Sequence, residues 1–153
     1  MIIRKANITE WKIIQNLNAQ LFELEFNNYD ESLDIHWPDR NEGYYKNAII
    51  SEDYHTLVCE EGNKIVGYII ASLYIRTGER LPSKSSKIQN IFISESHRGK
   101  RIGKQLIQKV ETWAKNNGAV EISITASAKN TDALEVYRNL SYEEYDVILE
   151  KKL

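Results

Sequence analysis

The residues best suited to chemistry lie where an apolar run ends at Ile93 and a turn rich in glycine and basic residues leads into an amphipathic helix. We call residues 94–101 the phosphate turn. A turn of this kind leaves backbone N–H groups unpaired at a helix N-terminus, where the helix dipole is positive, so it can bind a phosphate or pyrophosphate. Four basic residues add positive charge there: Arg98, Lys100, Arg101 and Lys104. The spacing is not that of a nucleotide triphosphatase or a dinucleotide binder. We therefore predict a different phosphate-bearing ligand.

The turn resembles the Q/R-x-x-G-x-G/A signature of the GNAT superfamily of N-acetyltransferases, which holds the pyrophosphate of acetyl-CoA. Arg98 takes the first position and Gly103 the last, whereas Arg101 stands where the middle glycine is expected. This departure is tolerable if residue 101 has an ordinary helical φ, and damaging if its φ must be positive. The alternative interpretation is a basic turn before a surface helix.

A second segment, residues 130–142, resembles the same superfamily's N-x-x-A-x-x-x-Y-x-x-x-G-F/Y pattern. Ser141 replaces the glycine and Tyr142 supplies the aromatic residue. Asn130 is a typical helix N-cap, and Tyr137 shares an apolar helical face with its neighbours. Taken alone, such a tyrosine is more often a core residue than a catalyst. The two segments occur in the expected order and separation, so by resemblance the chain is identified as a GNAT member, mainly over residues 65–153.

The resemblance implies an α/β fold with a twisted mixed (α+β) sheet, whose central parallel strands splay apart and are flanked by helices, in a single domain spanning residues 1–153. Periodicity and turn residues predict a compatible order of elements. The predicted strands are Ile2–Lys5, Tyr54–Glu60, Lys64–Ile75, Lys87–Ile93, Val120–Thr125 and Glu143–Lys152. The predicted helices run from a cap at Thr9 to about Phe26, from Pro38 to Ile50, from Ile102 to Gly118, and onward from Asn130.

The resemblance also implies a cofactor, acetyl-CoA, and the residues that hold it. Its pantothenate arm is expected to bond to the main chain of the first splayed strand, at Ile91 and Ile93. The full set of expected cofactor contacts is Ile91, Phe92, Ile93, Arg98, Gly99, Lys100, Arg101, Ile102, Gly103, Lys104 and Asn130. Tyr137 matches the family's usual general acid, which protonates the departing thiolate.

Several residues could remove the amine's proton. Many family members carry a glutamate in the strand before the turn, whereas this chain offers Gln89 and Asn90, which can orient water but cannot hold a proton. The region between residues 20 and 61 is strongly acidic and could attract a cation. The expected substrate contacts are Glu23, Asp30, Asp34, Gln89 and Asn90, with Glu25 and His36 as further candidates. A solvated acidic surface is the alternative.

Composition excludes several other classes. The chain has 153 residues, 27% of them charged, and a net charge of −2, as expected for a globular domain. With Cys59 as the single cysteine, a disulfide framework is excluded, and no histidine pair has metal-site spacing. The apolar run at Ile65–Ile75 is too short to span a bilayer, and no targeting segment is visible, which favours the cytoplasm and no membrane partner. The basic stretch lacks interleaved aromatic residues, which disfavours nucleic-acid binding.

The sequence therefore predicts an acetyl-CoA-dependent N-acetyltransferase that acts on a small cationic primary amine by direct transfer in a ternary complex. One alternative is transfer to a protein N-terminus or lysine. An alternative of another class is a non-catalytic acyl-CoA-binding regulatory domain. A homodimer is left open.

Overall fold

A computed structural model describes all residues from Met1 to Leu153. Five strands form one sheet in the order β1-β2-β3-β4-β5. The strands are β1 (Ile2–Lys5), β2 (Tyr54–Glu61), β3 (Lys64–Arg76), β4 (Ser83–Ile93) and β5 (Glu121–Ile124). The pairs from β1 to β4 are antiparallel, whereas β4 and β5 run parallel. The predicted mixed sheet is confirmed.

Five α-helices cover the two faces of this sheet. They are α1 (Trp11–Asn28), α2 (Trp37–Arg40), α3 (Glu42–Ile50), α4 (Ile102–Asn116) and α5 (Thr131–Arg138). The cap of the first helical segment is Asn7 rather than Thr9, since Asn7 and Glu10 form a reciprocal capping box that begins with a short 3₁₀ turn. No helix combines the length and apolar character needed to cross a bilayer.

The core has two halves, one on each face of the sheet. On one face, Ile14 of α1 and Tyr45 of α3 are fully buried against strand residues that include Tyr68. On the other face, Leu106 of α4 packs against strand residues that include the buried thiol Cys59. Apolar side chains alternate along the central strands, so each strand contributes to both halves. This packing fixes α1 and α4 on opposite sides of β4.

The two parallel strands separate where the site forms. They pair only from Ser85 opposite Glu121 to Ile88 opposite Ile124, after which β5 ends and β4 continues to Ile93. The register between β3 and β4 shifts at this point, so that Gln89 is an extra residue on β4. A bulge of this kind bends a strand and redirects its side chains. The splay expected of this strand pair is therefore present.

The predicted last strand, residues 143–152, is wrong. These residues form no strand, and several of their apolar side chains are exposed, including Val147 at 76% and Leu149 at 90%. Alternating apolar residues favour a strand, but a strand also needs a neighbour with which to exchange backbone hydrogen bonds. The segment is instead held by side chains, with Arg80 contacting Asp146 and Lys152 contacting Glu31.

Candidate active site

The phosphate turn presents a run of free backbone donors. The N–H groups of residues 99–104 donate no hydrogen bond within the chain, and the first paired N–H is that of Gln105, which donates to the Arg101 carbonyl oxygen at 3.2 Å. No side chain caps the start of α4. These donors lie at the positive end of the helix dipole, so they can bind an anion with several oxygens.

Both positions where the motifs lack their glycine have left-handed backbone conformations. Arg101 has φ of 60° and Ser141 has φ of 67°. The φ of Arg101 is therefore positive, which makes the replacement of the motif glycine costly, because residues other than glycine rarely adopt the left-handed conformation. The backbone at Arg101 and Ser141 has the conformation that glycine would favour, so both residues are conformationally strained.

A cavity of about 410 Å³ lies beside the turn. Its lining residues are Ile93, His97, Arg98, Gly99, Arg101, Ile102, Gly103, Lys104, Val136, Asn139 and Leu140. A Cβ added at Gly103 would have no neighbour closer than Ile91 Cδ1, at 4.0 Å, so the helix entrance is open. The Arg98 side chain braces the turn, because its Nε donates to the Ile93 carbonyl oxygen at 3.0 Å and its guanidinium lies 5.4 Å from the centre of the Phe92 ring.

The other predicted cofactor contacts divide into two groups. In the first group, Ile91, Ile93 and Gly99–Lys104 line this cavity or the larger one described next, or carry the free N–H groups. Lys100 is exposed and lines neither of these two cavities. The Phe92 side chain is buried in the core against α1 and α3, so only its main chain is available. Asn130 borders the larger cavity described next, but its Oδ1 already accepts the Ala133 N–H at 3.1 Å as a helix cap.

A larger cavity of about 600 Å³ occupies the splay between β4 and β5. The residues contributed by β4, β5, α5 and the loop between β5 and α5 are Gln89, Asn90, Ile91, Ile124, Thr125, Ala126, Asn130 and Tyr137. From α1 to α3 come Leu21, Phe22, Glu25, Ser32, Leu33, Asp34, Trp37 and Tyr44. Ile91 lines this cavity and Ile93 the smaller one, while Tyr137 and Val136 divide in the same way. The two cavities therefore lie next to each other along β4 and α5, and we call the two together the splay cleft.

Tyr137 lines the larger cavity, and its neighbour Val136 lines the smaller one. Tyr137 lies on α5, partly buried, and its ring centroid is 6.1 Å from that of Tyr142. Burial, with a smaller contribution from the charge of Glu25, raises the pKa of Tyr137 to about 12. The hydroxyl therefore stays protonated at neutral pH and can donate a proton or a hydrogen bond.

The predicted acidic contacts do not all reach the cleft. Glu23 is exposed and does not line it. Asp30 is also exposed, and its Oδ1 accepts hydrogen bonds from the Ser32 N–H and hydroxyl at 3.0 and 2.6 Å. Asp34 lines the cleft but is ion-paired with Arg40 and accepts the His36 N–H. His36 itself does not line the cleft.

Glu25 is the acidic residue that the structure brings forward. It lines the splay cleft without an ion-pair partner, and burial, followed by the charge of Asp30, raises its pKa. On sequence grounds Glu25 was only a further candidate. Glu25 follows Phe22 by three residues and Leu21 by four, so the three share one helical face. This spacing could have placed Glu25 on the same side of α1 as these two apolar residues.

Gln89 and Asn90 reach the cleft as expected, on the bulged part of β4. Gln89 Nε2 donates to Ser72 Oγ at 2.8 Å, and Asn90 Nδ2 donates to the Tyr44 hydroxyl at 3.3 Å. Asn90 Oδ1 is buried and has no hydrogen-bond partner in the chain. A buried acceptor of this kind favours a ligand N–H or a water beside it.

A family model described as "Acetyltransferase (GNAT) family" matches residues 16–142. An uncharacterized N-acetyltransferase of Methanocaldococcus jannaschii is 29% identical over 106 residues, which are 69% of this chain and 46% of the relative. The aminoglycoside N(6′)-acetyltransferase type 1 of Salmonella typhimurium is 32% identical over 62 residues, covering 40% of this chain and 43% of the relative. The chain spans about half, or less, of the length of the curated relatives that it matches.

Solved structures share the fold over the whole chain. A mutant protein from Bacillus halodurans superposes with a TM-score of 0.90 at 22% identity, covering 100% of this chain and 99% of that one. The aminoglycoside N-acetyltransferase AAC(6′)-Iy in complex with CoA gives a TM-score of 0.75 at 22% identity, covering 99% of each chain. The likenesses confirm the predicted fold class.

Proposed function

Because the chain belongs to the GNAT family of acetyltransferases, we propose that it transfers the acetyl group of acetyl-CoA to a small cationic primary amine, directly and within a ternary complex. The family predicted from the two motifs is confirmed, and with it, at the level of the family, the prediction of an acyltransferase. The relative named as an aminoglycoside N-acetyltransferase supports an amine acceptor.

One observation supports this proposal most strongly. The free N–H groups of residues 99–104 lie beside the smaller cavity, and the larger cavity, which Tyr137 lines, lies next to it along β4 and α5. An elongated ligand with a pyrophosphate at one end and a reactive group at the other fits this layout. The donors would bind the pyrophosphate, Lys104 would add charge, and the unpaired edge of β4 near Ile91 would bond to an amide-rich arm. Acetyl-CoA has these parts and supplies the thioester.

The residues of the splay cleft can then assist each proton movement. The amine must lose a proton before its nitrogen attacks the thioester carbonyl carbon, and water held at Gln89 or Asn90 can carry that proton away. A main-chain N–H near Ile91 can stabilise negative charge on the carbonyl oxygen. As the C–N bond forms and the C–S bond breaks, the Tyr137 hydroxyl can protonate the departing sulfur and regain its proton from solvent.

The test begins with acetyl-CoA binding, measured by isothermal titration and by thermal unfolding. Binding is expected to raise the melting temperature, because a ligand that binds only the folded state stabilises that state. A set of primary amines is then tested for CoA release, with the product mass measured. No binding at millimolar acetyl-CoA contradicts the whole proposal. Binding without CoA release from any amine favours a non-catalytic acyl-CoA-binding domain instead.

A further inference from the structure

One wall of the splay cleft is aromatic. The Phe22 and Trp37 rings stack with centroids 5.8 Å apart and an interplanar angle of 8°, and the Tyr44 ring meets Trp37 edge-on at 5.5 Å. All three residues line the cleft, on the side formed by α1 to α3. Aromatic faces favour flat apolar groups, and they also attract a cation that lies over the ring. Such a wall is poorly matched to a ligand that is polar on all sides.

The charge in the cleft is also limited. Glu25 and Asp34 are the only acidic residues among its lining residues. Asp34 is already paired with Arg40. Glu25 is the one carboxylate without a cationic partner, so the cleft can neutralise one positive charge well. A polycationic ligand would have to lose hydration at further ammonium groups without gaining partners for them, which is costly.

We infer that the acceptor is a primary amine with a single positive charge on a flat, apolar body, whose ammonium group binds Glu25 while its body lies against Phe22 and Trp37. This inference rests on the proposed function and narrows its substrate class. It differs from the polycationic class suggested by the name of the aminoglycoside-acetylating relative.

Asn90 of β4, which is hydrogen-bonded to Tyr44 of the aromatic wall, adds a second polar contact in the cleft. Its Oδ1 has no partner in the chain, and an amine N–H would satisfy it. Glu25 gains a counter-ion when the ammonium binds, which offsets the cost of its burial. The raised pKa of Glu25 also makes its carboxylate a better proton acceptor, so the same side chain can bind the cation and then receive the proton that the nitrogen must lose.

The experiment compares amines that differ in body and charge. The probes are 2-phenylethylamine and tryptamine, the alkyl monoamine n-butylamine, and the polycations spermidine and kanamycin. Affinity is measured by calorimetry with CoA present, and kcat/KM by CoA release with acetyl-CoA. We expect the two aromatic monoamines to exceed both polycations by at least about tenfold in each measurement. Parity, or a preference for the polycations, overturns the inference.

Variants then test the two parts of the cleft separately. Glu25→Gln should weaken 2-phenylethylamine binding by about tenfold or more, while binding of the uncharged analogue 2-phenylethanol stays unchanged. Glu52→Gln is the matched control, since Glu52 is exposed, makes no ion pair and lies outside the cleft. Phe22→Leu should reduce the preference for 2-phenylethylamine over n-butylamine. Melting temperatures establish that each variant is folded, and equal amine affinity in the Glu25 and Glu52 variants overturns the role of Glu25.

The inference and the proposed function fail in different ways. If a polycation is acetylated faster than the aromatic monoamines, transfer is established and the inference is wrong. If the aromatic monoamines bind with the expected selectivity but no probe releases CoA, the description of the cleft stands and the proposed transfer is wrong. A failure of acetyl-CoA to bind contradicts the proposed function, and calorimetry of the amines without CoA then tests the description of the cleft by itself.

Discussion

The left-handed backbone at Arg101 and Ser141 predicts that glycine should be more stable than alanine at both positions. Both side chains are exposed, so substitution removes little packing. A residue with a Cβ pays about 1–2 kcal/mol in this region. Glycine avoids this strain, but it lowers the free energy of unfolding by about 0.4–1 kcal/mol because the unfolded chain has more conformational freedom. The net advantage of glycine over alanine should be about 0.5–1 kcal/mol at each position.

Comparing glycine with alanine at one position separates backbone strain from lost charge, since both variants lack the Arg101 guanidinium. Gly43 of α3 is the control, because its φ is not positive and no atom lies within 4 Å of an added Cβ. There the order should reverse, with alanine more stable by about 0.5–1 kcal/mol. The assay is urea unfolding supported by thermal scans, in which 1 kcal/mol corresponds to roughly 2–4 °C for a chain of this size.

The sign of the stability difference between the glycine and alanine variants tests this reasoning. If Arg101→Ala is at least as stable as Arg101→Gly, then the left-handed conformation is not strained there. If the order is the same at Ser141 and Gly43, the difference reflects glycine itself rather than backbone geometry. Arg101→Gly should also leave acetyl-CoA binding unchanged or stronger, because the free N–H groups keep their positions.

Three further predictions follow from the site and the core. Gly103→Asp should weaken acetyl-CoA binding by about tenfold or more while the melting temperature changes little, since a carboxylate would repel the pyrophosphate where a Cβ has room; normal binding would show that the phosphate site is elsewhere. Tyr137→Phe should lower kcat by about 10–10³-fold with little change in cofactor affinity, and unchanged turnover would leave Tyr137 a packing residue. His55 stacks on Trp113, and burial lowers its pKa to about 4. The unfolded chain takes up this proton near pH 6.5 and the folded chain does not, so stability should fall as pH drops from about 6.5 to 4. His55→Phe keeps the stack, and its melting temperature should depend less on pH in that range; an unchanged dependence would contradict this explanation.

Local patterns predicted most of the fold. The turn before α4 and the Asn130 cap are each set by residues adjacent in sequence, and both were located correctly. The predicted strand at residues 143–152 failed because strand formation depends on a partner, which a pattern within the segment does not reveal. The first helical cap was misplaced by two residues, because Asn7 and Thr9 are both acceptable caps and only the Glu10 contact decides between them.

The candidate site was harder to predict where contacts are long-range. The acidic segment correctly placed carboxylates near the cleft, but their availability depends on pairing. Asp34 is ion-paired with Arg40 of α2, whereas Glu25 lines the cleft from α1 without an ion-pair partner, and burial raises its pKa. The aromatic wall joins Phe22 of α1 to Trp37 of α2, and no spacing within either helix predicts that stack.

The strain at Arg101 and Ser141 indicates how strongly the rest of the fold determines the backbone of the phosphate turn and of the segment after α5. A residue stays in an unfavourable conformation only when its surroundings determine the backbone more strongly than its own preference does. Next to Arg101, Ile102 is 2% exposed and Leu106 is fully buried, so the start of α4 is fixed by the core beneath it. Next to Ser141, Tyr142 packs on the same half of the core. The free N–H groups at the turn therefore depend on the buried residues of α4 as well as on the motif itself.

A substitution that leaves a cavity in the core, such as Leu106→Ala, should then weaken acetyl-CoA binding although the side chain lies outside the cleft. Calorimetry under conditions where the variant is still folded measures this loss of affinity. Unchanged affinity in the folded variant would show that the turn holds its own conformation.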